Sequence, residues 1–530
     1  MGSALMLGSV VATAIVVAVL LRDALQRRHD VLSWKHLFLW GFLVFFGTGG
    51  IFTVVFNAGA ELYVPSDQAK GIMGLCVPLF LILFLMACGW GLKARWVEKI
   101  VPPVDVPQTT PGVLICTAAA VGLLVASLAF PAKGDSLLTA IIAYFRGGMS
   151  VTAAGLATYW LLAQRFNPLS WAVFIGTIGI SLIASISGES GRRQLLGVLI
   201  IVPWVWYYTH LRYQRLGAWV PKAAIVMAAG FVLLVGYSGV RAGLRGDERN
   251  VGALTSALMQ SATSADLSTR NLLQDLFLQD AATNSMYIID TYGPMHEQQP
   301  LRGLIWMVVN PVPRALWPDK PDALGLEITG LLNAQGNLAP GIIGHGWAEV
   351  GFIGVIYYAL AFGFLCGAVD RLLQVRAANP FFVIAFGSTI GQQIGMSRGD
   401  TPLFLLQSVL TIGMAMGVMY ACKIPFNSLM AAFPRLRTGA TEAQEGDEDG
   451  ASVQAADEGG EESGDGFDDG AHEAAGGDSA EPASGERVAG APVEQPDDWG
   501  TYPAGTADWG QASAGWAYSE PAGDAEPPRA

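Results

Sequence analysis

The chain has 530 residues, of which 52% are hydrophobic and only 14% are charged, and its mean hydropathy is +0.41. Soluble domains carry about 25% charged residues, so this composition excludes an ordinary soluble globular protein and favours one that lies mostly in lipid. The net charge of −13 is unevenly spread, because residues 441–530 hold 23 acidic residues and two arginines, which leaves +8 on the remainder. The sequence therefore predicts a mildly basic membrane domain followed by an acidic tail.

Long apolar runs divide the first part of the chain into membrane-spanning segments. A helix needs about 20 predominantly apolar residues to cross the hydrocarbon core, and eleven runs come near this length. We therefore predict an all-α fold, a polytopic transmembrane helix bundle of about 11 spans. The runs cover residues 4–21, 37–56, 71–92, 112–130, 137–163, 169–187, 194–210, 221–240, 350–369, 380–396 and 401–421.

The positions of lysine and arginine predict how the bundle is oriented. Cytoplasmic loops carry the excess of these residues, and the inward loops are the rich ones if the N-terminus lies outside. The first run is followed by Arg22, Arg27 and Arg28, and no small-residue cleavage site comes after it, so we expect a retained helix. The predicted location is the inner, cytoplasmic membrane, with the C-terminal tail in the cytoplasm.

Four regions follow from this topology. Residues 1–240 are predicted to form transmembrane helices 1 to 8, and residues 350–430 to form helices 9 to 11. Residues 241–349 form a long extracytoplasmic loop, with apolar residues at mostly helical spacing in its first half and an irregular, Pro- and Gly-rich second half. Loops this long are usually functional or disordered. The apolar content of this loop argues against disorder, and we predict that it forms a partly helical lid that covers an active site.

The fourth region, residues 431–530, is predicted to be a disordered acidic cytoplasmic tail. Gly, Ala, Asp, Glu and Pro dominate it, so it cannot bury enough apolar surface to offset the entropy of ordering. A loose aromatic repeat surrounds Trp499, Trp509 and Trp516. The tail is therefore either a solvated spacer, which like charge keeps away from the anionic inner leaflet, or a docking segment for a cytoplasmic partner.

Soluble-enzyme motifs are missing from the sequence. It has no P-loop, no H-E-x-x-H, no G-x-S-x-G and no dinucleotide-binding fingerprint after a strand, and its one D-x-D triplet, Asp447–Asp449, lies in the tail. We therefore predict no metal and no cofactor. A metal-free reaction on a phosphorylated substrate would need arginine and lysine to neutralise the phosphate charge.

Charged and polar residues that are costly in a membrane protein are the remaining candidates for chemistry. The predicted topology places four groups at the outer face, namely Ser187–Arg193, Pro313–Pro321, Gly344–Gly351 and Ser397–Asp400. A further charge, Arg146, lies within the fifth run, where exposure to lipid costs about 2.5–3.5 kcal/mol. The candidate site residues in the four groups are Arg192, Arg193, Arg314, Lys320, His345, Glu349 and Arg398.

Each candidate also has a structural interpretation. Arg314 is the hardest to explain in this way, because prolines on both sides restrict its backbone. Several cations and two candidate bases on one face favour a functional site. The structural alternatives are a miscounted helix for Arg192 and Arg193, a cap with Asp400 for Arg398, contacts to backbone or arginine for Glu349, and an ordinary interfacial position for His345.

The stretch Pro313–Pro321 resembles the PR-x-x-WP-x-KP signature of oligosaccharide repeat-unit polymerases, the Wzy-type O-antigen polymerases. The likeness extends to the Arg-bearing turn at 187–193, to the Gly- and Glu-bearing segment at 344–354 and to Ser397–Gly399. These segments follow in the same order over about 430 residues. The acidic tail is not part of the family pattern.

The resemblance implies a glycosyltransferase reaction at the outer face of the cytoplasmic membrane. A glycan held on polyprenyl diphosphate is transferred to a hydroxyl group of the next lipid-linked repeat unit, and the polymer serves the cell envelope as O-antigen or exopolysaccharide. Arg314 is then the first candidate to neutralise the diphosphate, and Glu349 or His345 is the candidate base. The remaining diphosphate-binding candidates are Arg192, Arg193, Arg398, Lys320 and Arg146.

The implied partners are the polyprenyl-diphosphate-linked oligosaccharide, membrane lipid, and a chain-length regulator or flippase, with no nucleic acid. Two other functions remain open. An O-antigen ligase uses similar cations and a histidine base, which His345 would supply. A polysaccharide or lipid transporter usually shows internal repeats and charges along a path through the membrane, whereas the unusual charges here lie at one face. A scaffold that presents the tail is a third, more distant reading.

Overall fold

The computed structural model describes the part of the chain that positions the candidate site. In this part the chain is helical and contains no β-strand. The described residues are 2–26, 30–56, 63–104, 106, 108–130, 137–187, 192–212, 214, 221, 281–310, 312, 316–317, 319–334 and 338–432.

Sixteen helices in the described part of the chain are numbered here in chain order. Apart from Lys423, the last of them lies in a second unit of the chain, which starts at Ile424. The helices are α1 (Gly2–Gln26), α2 (Trp34–Phe56, with a π-helical turn at Leu43–Thr48), α3 (Asp67–Gly91), α4 (Val97–Ile100), α5 (Thr110–Leu128), α6 (Leu137–Ala163), α7 (Pro168–Ser187), α8 (Arg192–Trp206, continued by a π-helical turn at Tyr207–Leu211), α9 (Ala281–Thr291), α10 (Arg302–Val309), α11 (Leu324–Leu331), α12 (Gly341–Val375), α13 (Pro380–Gly387), α14 (Ile390–Met396), α15 (Thr401–Ala421) and α16 (Lys423–Ala432).

Eight helices among the described residues are long and apolar enough to cross a membrane. Each coincides with one of the predicted runs, so the prediction of a polytopic helical membrane protein is confirmed at this level. The run at 221–240 lies outside the described residues except for Pro221, and α6 covers 137–163 as one continuous helix that is not among the eight. The number of eleven spans and their orientation stay predictions.

The run at 380–396 is not one helix but two short ones, α13 and α14. Ser388 and Thr389 separate them, and both are fully buried. Their hydroxyl groups donate to the carbonyls of Ala385 at 2.6 Å and Phe386 at 2.7 Å. Serine and threonine compete in this way with the helical hydrogen-bond ladder, and an irregular backbone is tolerated in a membrane only where protein or a polar cavity surrounds it.

Helix α12 begins nine residues before the predicted start of its span and bends sharply at Val350 and Gly351. Gly351 has φ +61°, a left-handed conformation that favours glycine. On the two sides of the bend, Gly346 and Gly354 touch through their backbones, since a Cβ at Gly354 would lie 1.8 Å from the Gly346 carbonyl oxygen. The segment from Gly341 to Glu349 is therefore a short, buried helix folded back on the rest of α12.

The core of the bundle forms where α12 packs against α3. Glycines allow the two backbones to approach, as is common between membrane helices: a Cβ at Gly363 or Gly367 would lie 2.3 Å or 2.2 Å from a carbonyl oxygen of α3. Beside this contact, phenylalanines of α2 and α3 stack, with ring centroids of Phe38 and Phe84 4.3 Å apart. This packing holds the far half of α12 rigidly in place.

Short helices of the predicted loop pack onto the bundle. Helix α9 begins at Ala281, the last residue of the predicted helical pattern in the first half of that loop, whereas the second half was expected to be irregular and contains α10 and α11. Ten of the eleven residues of α9 are buried, and the helix is fixed at the start of α12, because the Ser285 hydroxyl donates to the Pro340 carbonyl at 2.8 Å. At its other end Asp290 accepts from the Tyr63 hydroxyl at 2.6 Å. Tertiary burial stabilises these short helices, which would be marginal alone.

A buried ionic cluster joins α1, α2 and the C-terminal part of α12. The Lys35 ammonium group lies 2.6 Å from Asp23, and the His36 ring nitrogen Nε2 lies 3.2 Å from the same carboxylate. Asp370 of α12 accepts from the backbone amide of Trp34 at 2.7 Å, which satisfies an end group of α2. Lys35, near the start of α2, thus has a buried partner of opposite charge.

Candidate functional site

Three of the predicted site residues have no described side chain. Arg314 lies outside the described residues. Arg192 and Arg193 begin α8, but their side chains are outside the described part of the chain. The predicted roles of these three arginines therefore stay predictions.

Two of the predicted groups, Gly344–Gly351 and Ser397–Asp400, come together at the start of α12. The amide of Gly341 donates to the carbonyl of Arg398 at 2.8 Å, and that of Ile342 to the carbonyl of Ser397 at 2.9 Å. These bonds satisfy two of the first amide groups of the helix, which have no partner within it. The turn between α14 and α15 therefore caps the short helix that carries His345.

His345 lies against Asp400. Its ring nitrogen Nε2 is 3.1 Å from Asp400 Oδ1, and both side chains are only 4% exposed. Burial raises the pKa of the Asp400 carboxyl, but the contact with His345, the Gly325 amide at 3.2 Å and the charge of Arg302 together lower it below its ordinary value. Asp400 is therefore ionised at neutral pH, and its carboxylate lies within ion-pair distance of the imidazole, although the two groups are not aligned as a hydrogen bond.

Glu349 occupies a different position one turn further along the same short helix. Its Oε1 accepts from the Tyr358 hydroxyl at 2.6 Å and from the Gly303 amide at 2.8 Å. A Cβ at Gly303 would lie 2.9 Å from that oxygen and 2.6 Å from the tyrosine oxygen, so a larger residue there would displace these side chains. Glu349 thus joins both halves of α12 to α10. This contact with the backbone is the structural alternative that the sequence left open, and the role of Glu349 as a base stays a prediction.

Helices α10 and α11 are joined by an ion pair that sequence reasoning missed. The Arg302 guanidinium contacts the Glu327 carboxylate, whose other oxygen accepts from the Tyr292 hydroxyl at 2.6 Å. Burial raises the pKa of the Glu327 carboxyl, but its hydrogen bonds to Arg302 and Tyr292 lower it below its ordinary value. No motif marks Arg302 or Glu327. Only the tertiary arrangement brings them together beside Asp400.

Lys320 and Arg146, both candidates for diphosphate binding, contact backbone carbonyls. Lys320 Nζ donates to the carbonyls of Asn310 at 2.9 Å and Val312 at 3.1 Å, on the N-terminal side of the segment that holds Arg314. Arg146 of α6 donates to the carbonyl of Ser127 in the last turn of α5 and, at 2.7 Å, to that of Phe130 just beyond the helix. A cation at a helix C-terminus is favourable, so these contacts give both cations a structural partner, and their predicted role in diphosphate binding stays a prediction.

Arg398 has one described contact through its backbone and one through its side chain. Its carbonyl accepts from Gly341, and its guanidinium carbon lies 5.8 Å from the centroid of the Phe45 ring. A guanidinium over an aromatic face is held by a cation–π interaction. Arg398 is therefore tied through its backbone to the short helix that carries His345, and its predicted role in diphosphate binding stays a prediction.

In the described ranges, no group of three His, Cys, Asp or Glu side chains is arranged to hold a metal ion. The prediction that the reaction needs no metal stays a prediction.

Comparison with known proteins gives no relative: no family model, no curated protein and no solved structure matches the chain.

The Arg302–Glu327 pair gives a prediction for the α10–α11 region. Because the folded-state pKa of Glu327 lies below its ordinary value of 4.5, the pair stabilises the region above pH 4.5 and this stabilisation is lost as the pH falls further. We expect Arg302→Ala to speed hydrogen exchange in residues 302–331 roughly fivefold at pH 7, equivalent to about 1 kcal/mol for a partly exposed pair. Hydrogen exchange with mass spectrometry measures this effect.

Arg371→Ala, which removes the separate contact with Glu98, is the control and should leave the region unchanged. Equal exchange in wild type and Arg302→Ala would show that the pair does not hold α10 to α11.

Proposed function

We propose that this protein is a polymerase of lipid-linked oligosaccharide repeat units that works at the outer face of the cytoplasmic membrane. The observation that carries the proposal is the buried His345–Asp400 pair at the end of the apolar helices. The resemblance of Pro313–Pro321 to the polymerase signature supplies the substrate class. An imidazole oriented by a carboxylate is a suitable general base for a sugar hydroxyl.

The reaction joins two lipid-linked glycans. The acceptor hydroxyl oxygen forms a bond to the anomeric carbon of the donor glycan, and the bond from that carbon to the diphosphate oxygen breaks. His345 takes the acceptor proton at Nδ1, since Nε2 faces Asp400, and the Asp400 carboxylate stabilises the imidazolium that forms. Polyprenyl diphosphate leaves with the bonding electron pair, so atoms and charges balance without a metal.

The leaving diphosphate needs fixed positive charge, and arginine offers bidentate donors that stay charged. Arg314 remains the first candidate, with Arg192, Arg193 and Arg398 in support. The contacts of Lys320 and Arg146 with carbonyls favour a positioning role for these two over a direct one. In this scheme the loop at 241–349 is a lid that keeps the lipid carrier and its glycan at the interface, and a chain-length regulator or flippase remains a candidate partner.

An O-antigen ligase would use the same His345–Asp400 pair, because it also deprotonates a sugar hydroxyl against a diphosphate leaving group. The intermediates that accumulate separate the two functions. Without a polymerase, cells accumulate single lipid-linked repeats. Without a ligase, they accumulate full-length lipid-linked polymer.

The test is an analysis of lipid-linked oligosaccharides in a strain lacking the gene, with complementation by the wild type or by Arg314→Ala. We expect single repeats on the outer face in the deletion strain, restored polymer with the wild type, and at least about tenfold less polymer with Arg314→Ala, from the loss of a charged contact that stabilises the leaving group. Repeats confined to the inner face would instead indicate a transporter. A variant lacking residues 441–530 shows in the same assay whether the tail affects the length or the amount of polymer.

A further inference from the structure

Helix α10 is apolar on the side that faces away from the bundle as well as on the side that packs against it. No residue from Gly303 to Val309 carries a charge, a hydroxyl group or an amide group in its side chain. Gly303 and Trp306 are buried on the side toward the bundle. A helix that is apolar all round lies buried in protein or in lipid, so the other side of α10 needs an apolar neighbour as well.

Four large aliphatic side chains cover this other side. They recur at i, i+3, i+4 and i+7, which is the spacing of one helix face. Their exposed fractions range from 47% at Leu304 to 70% at Val308. Single apolar residues on a surface are ordinary, but a contiguous group marks an interaction surface. We call this group the outward face of α10, and its members are Leu301, Leu304, Ile305 and Val308.

Helix α10 packs against the first turn of α15, one of the helices that are long and apolar enough to cross a membrane. A Cβ at Gly303 would lie 2.5 Å from Cγ of Pro402, so the two helices are in close contact there. Trp306 and Leu403 belong to one buried apolar cluster. The position of α10 is therefore fixed relative to a membrane-spanning helix.

The face of α15 that α10 covers at Pro402 is open further along the helix. Each residue turns the helix by about 100°, so the residues 7, 11, 15 and 18 positions after Pro402 lie on the same face as Pro402. A Cβ at the second or the third of these positions would meet nothing within 4 Å. All four positions are exposed, and they are Val409, Gly413, Gly417 and Tyr420.

This open stripe of α15 indicates where the lipid lies relative to α10. An exposed apolar stripe on a helix that crosses the membrane faces lipid. Val409 is 60% exposed and lies only about 10 Å along α15 from Pro402. The lipid-facing surface of the bundle therefore extends to the place where α10 is packed, and the outward face of α10 continues it.

The length of α10 and the segment that follows it favour a position along the membrane surface. Eight residues of helix extend about 12 Å, whereas about 20 residues are needed to cross the hydrocarbon core. After α10, Leu316 and Trp317 are 78% and 40% exposed, and tryptophan is enriched at the boundary between membrane and water. Lys320 Nζ donates to the carbonyls of Asn310 and Val312, which ties this segment to the end of α10.

We infer that the outward face of α10 lies among the phospholipids of the bilayer, at the boundary between headgroups and acyl chains, and that α10 anchors the long loop to the membrane. The lipid holds α10 where the Gly303 amide meets Glu349 and where Arg302 meets Glu327. The anchor thus supports the site without touching a substrate. The inference requires that α15 crosses the membrane and does not require the polymerase reaction.

Spin labels on α10 test this position in the full-length protein. Val308→Cys and, in a second protein, Ile305→Cys are labelled with a methanethiosulfonate nitroxide and reconstituted into phosphatidylcholine nanodiscs. The five native cysteines are buried, and wild type treated in the same way gives the background labelling. Electron paramagnetic resonance then compares the collisions of each label with oxygen, which concentrates in lipid, and with a water-soluble nickel chelate. Val409→Cys is the control for lipid, and Glu297→Cys, at an exposed position after α9, is the control for water.

We expect the ratio of oxygen to nickel collisions at both α10 labels to lie near the ratio at Val409 and several-fold above the ratio at Glu297, because an interfacial helix buries its apolar face by about 5–10 Å. A ratio as low as that at Glu297 would place the outward face in water and overturn the inference. Rare collisions with both reagents at Val308 and Ile305 would also overturn it, because another part of the chain or a second copy would then cover the face.

Discussion

Replacing His345 by alanine is expected to reduce polymer yield at least about 100-fold, the usual contribution of a positioned general base. The protein should still reach the membrane in normal amount, because no described hydrogen bond of the short helix depends on the imidazole. Analysis of the polymer by gel electrophoresis, with membrane protein measured by immunoblot, checks both expectations. His472→Ala in the acidic tail is the matched control and should leave the yield unchanged.

Asp400→Asn tests the pair from its other side. The amide keeps the shape of the side chain but loses the charge that stabilises the imidazolium, so the turnover should fall about 10- to 100-fold. If Asp400 acts through His345 and does not bind the substrate itself, the turnover should fall while the apparent KM for the lipid-linked acceptor stays the same. An unchanged polymer yield in both His345→Ala and Asp400→Asn, at normal protein levels, would remove the pair from the mechanism.

The helical membrane fold could be predicted from the sequence because the apolar composition of a segment is enough to show that it can cross the membrane. A run such as 71–92 has to be apolar throughout to cross the bilayer, whatever it packs against, and α3 covers it. The bend at Gly351 and the break at Ser388 do not change hydropathy. They depend on contacts between distant parts of the chain or on local side-chain bonds, so apolar runs could not show them.

For the candidate site, too, individual residues could be predicted from the sequence, but their arrangement could not. His345 and Arg398 could be singled out because charged and polar residues are costly near lipid. Their arrangement could not, because 55 residues separate His345 from Asp400 and the contact depends on the turn that caps α12. Arg302 was missed because a cation in a loop outside the membrane has no desolvation cost, so its position is not unusual in the sequence. Tyr358 was missed because a tyrosine in an apolar helix is ordinary.

Gly354→Ala is expected to be the most damaging single substitution in the bundle. The added Cβ would lie 1.8 Å from the carbonyl oxygen of Gly346, and since this is a backbone atom on the opposite side of a bend, it cannot rotate away. Overpacking of a rigid interior costs about 1–3 kcal/mol and sometimes more, and we expect the upper end. The thermal stability of the purified protein, followed by size-exclusion chromatography after heating, measures the loss.

Gly413→Ala is the matched control, because a Cβ there would meet nothing within 4 Å. In a helix this change otherwise gains up to about 1 kcal/mol, so the control should be as stable as the wild type or slightly more so. Gly354→Ala as stable and as active as the control would mean that the two halves of α12 do not touch.

The two largest expected effects differ in kind, and the difference separates the chemistry of the site from its support. His345→Ala should lose activity and keep stability, because it removes a reacting group and leaves the bend intact. Gly354→Ala should lose both, because separating Gly346 from Gly354 moves His345 away from Asp400 and Glu349 away from Tyr358. A Gly354→Ala protein that lost stability but kept its polymer yield would show that the reaction does not depend on the short helix of α12.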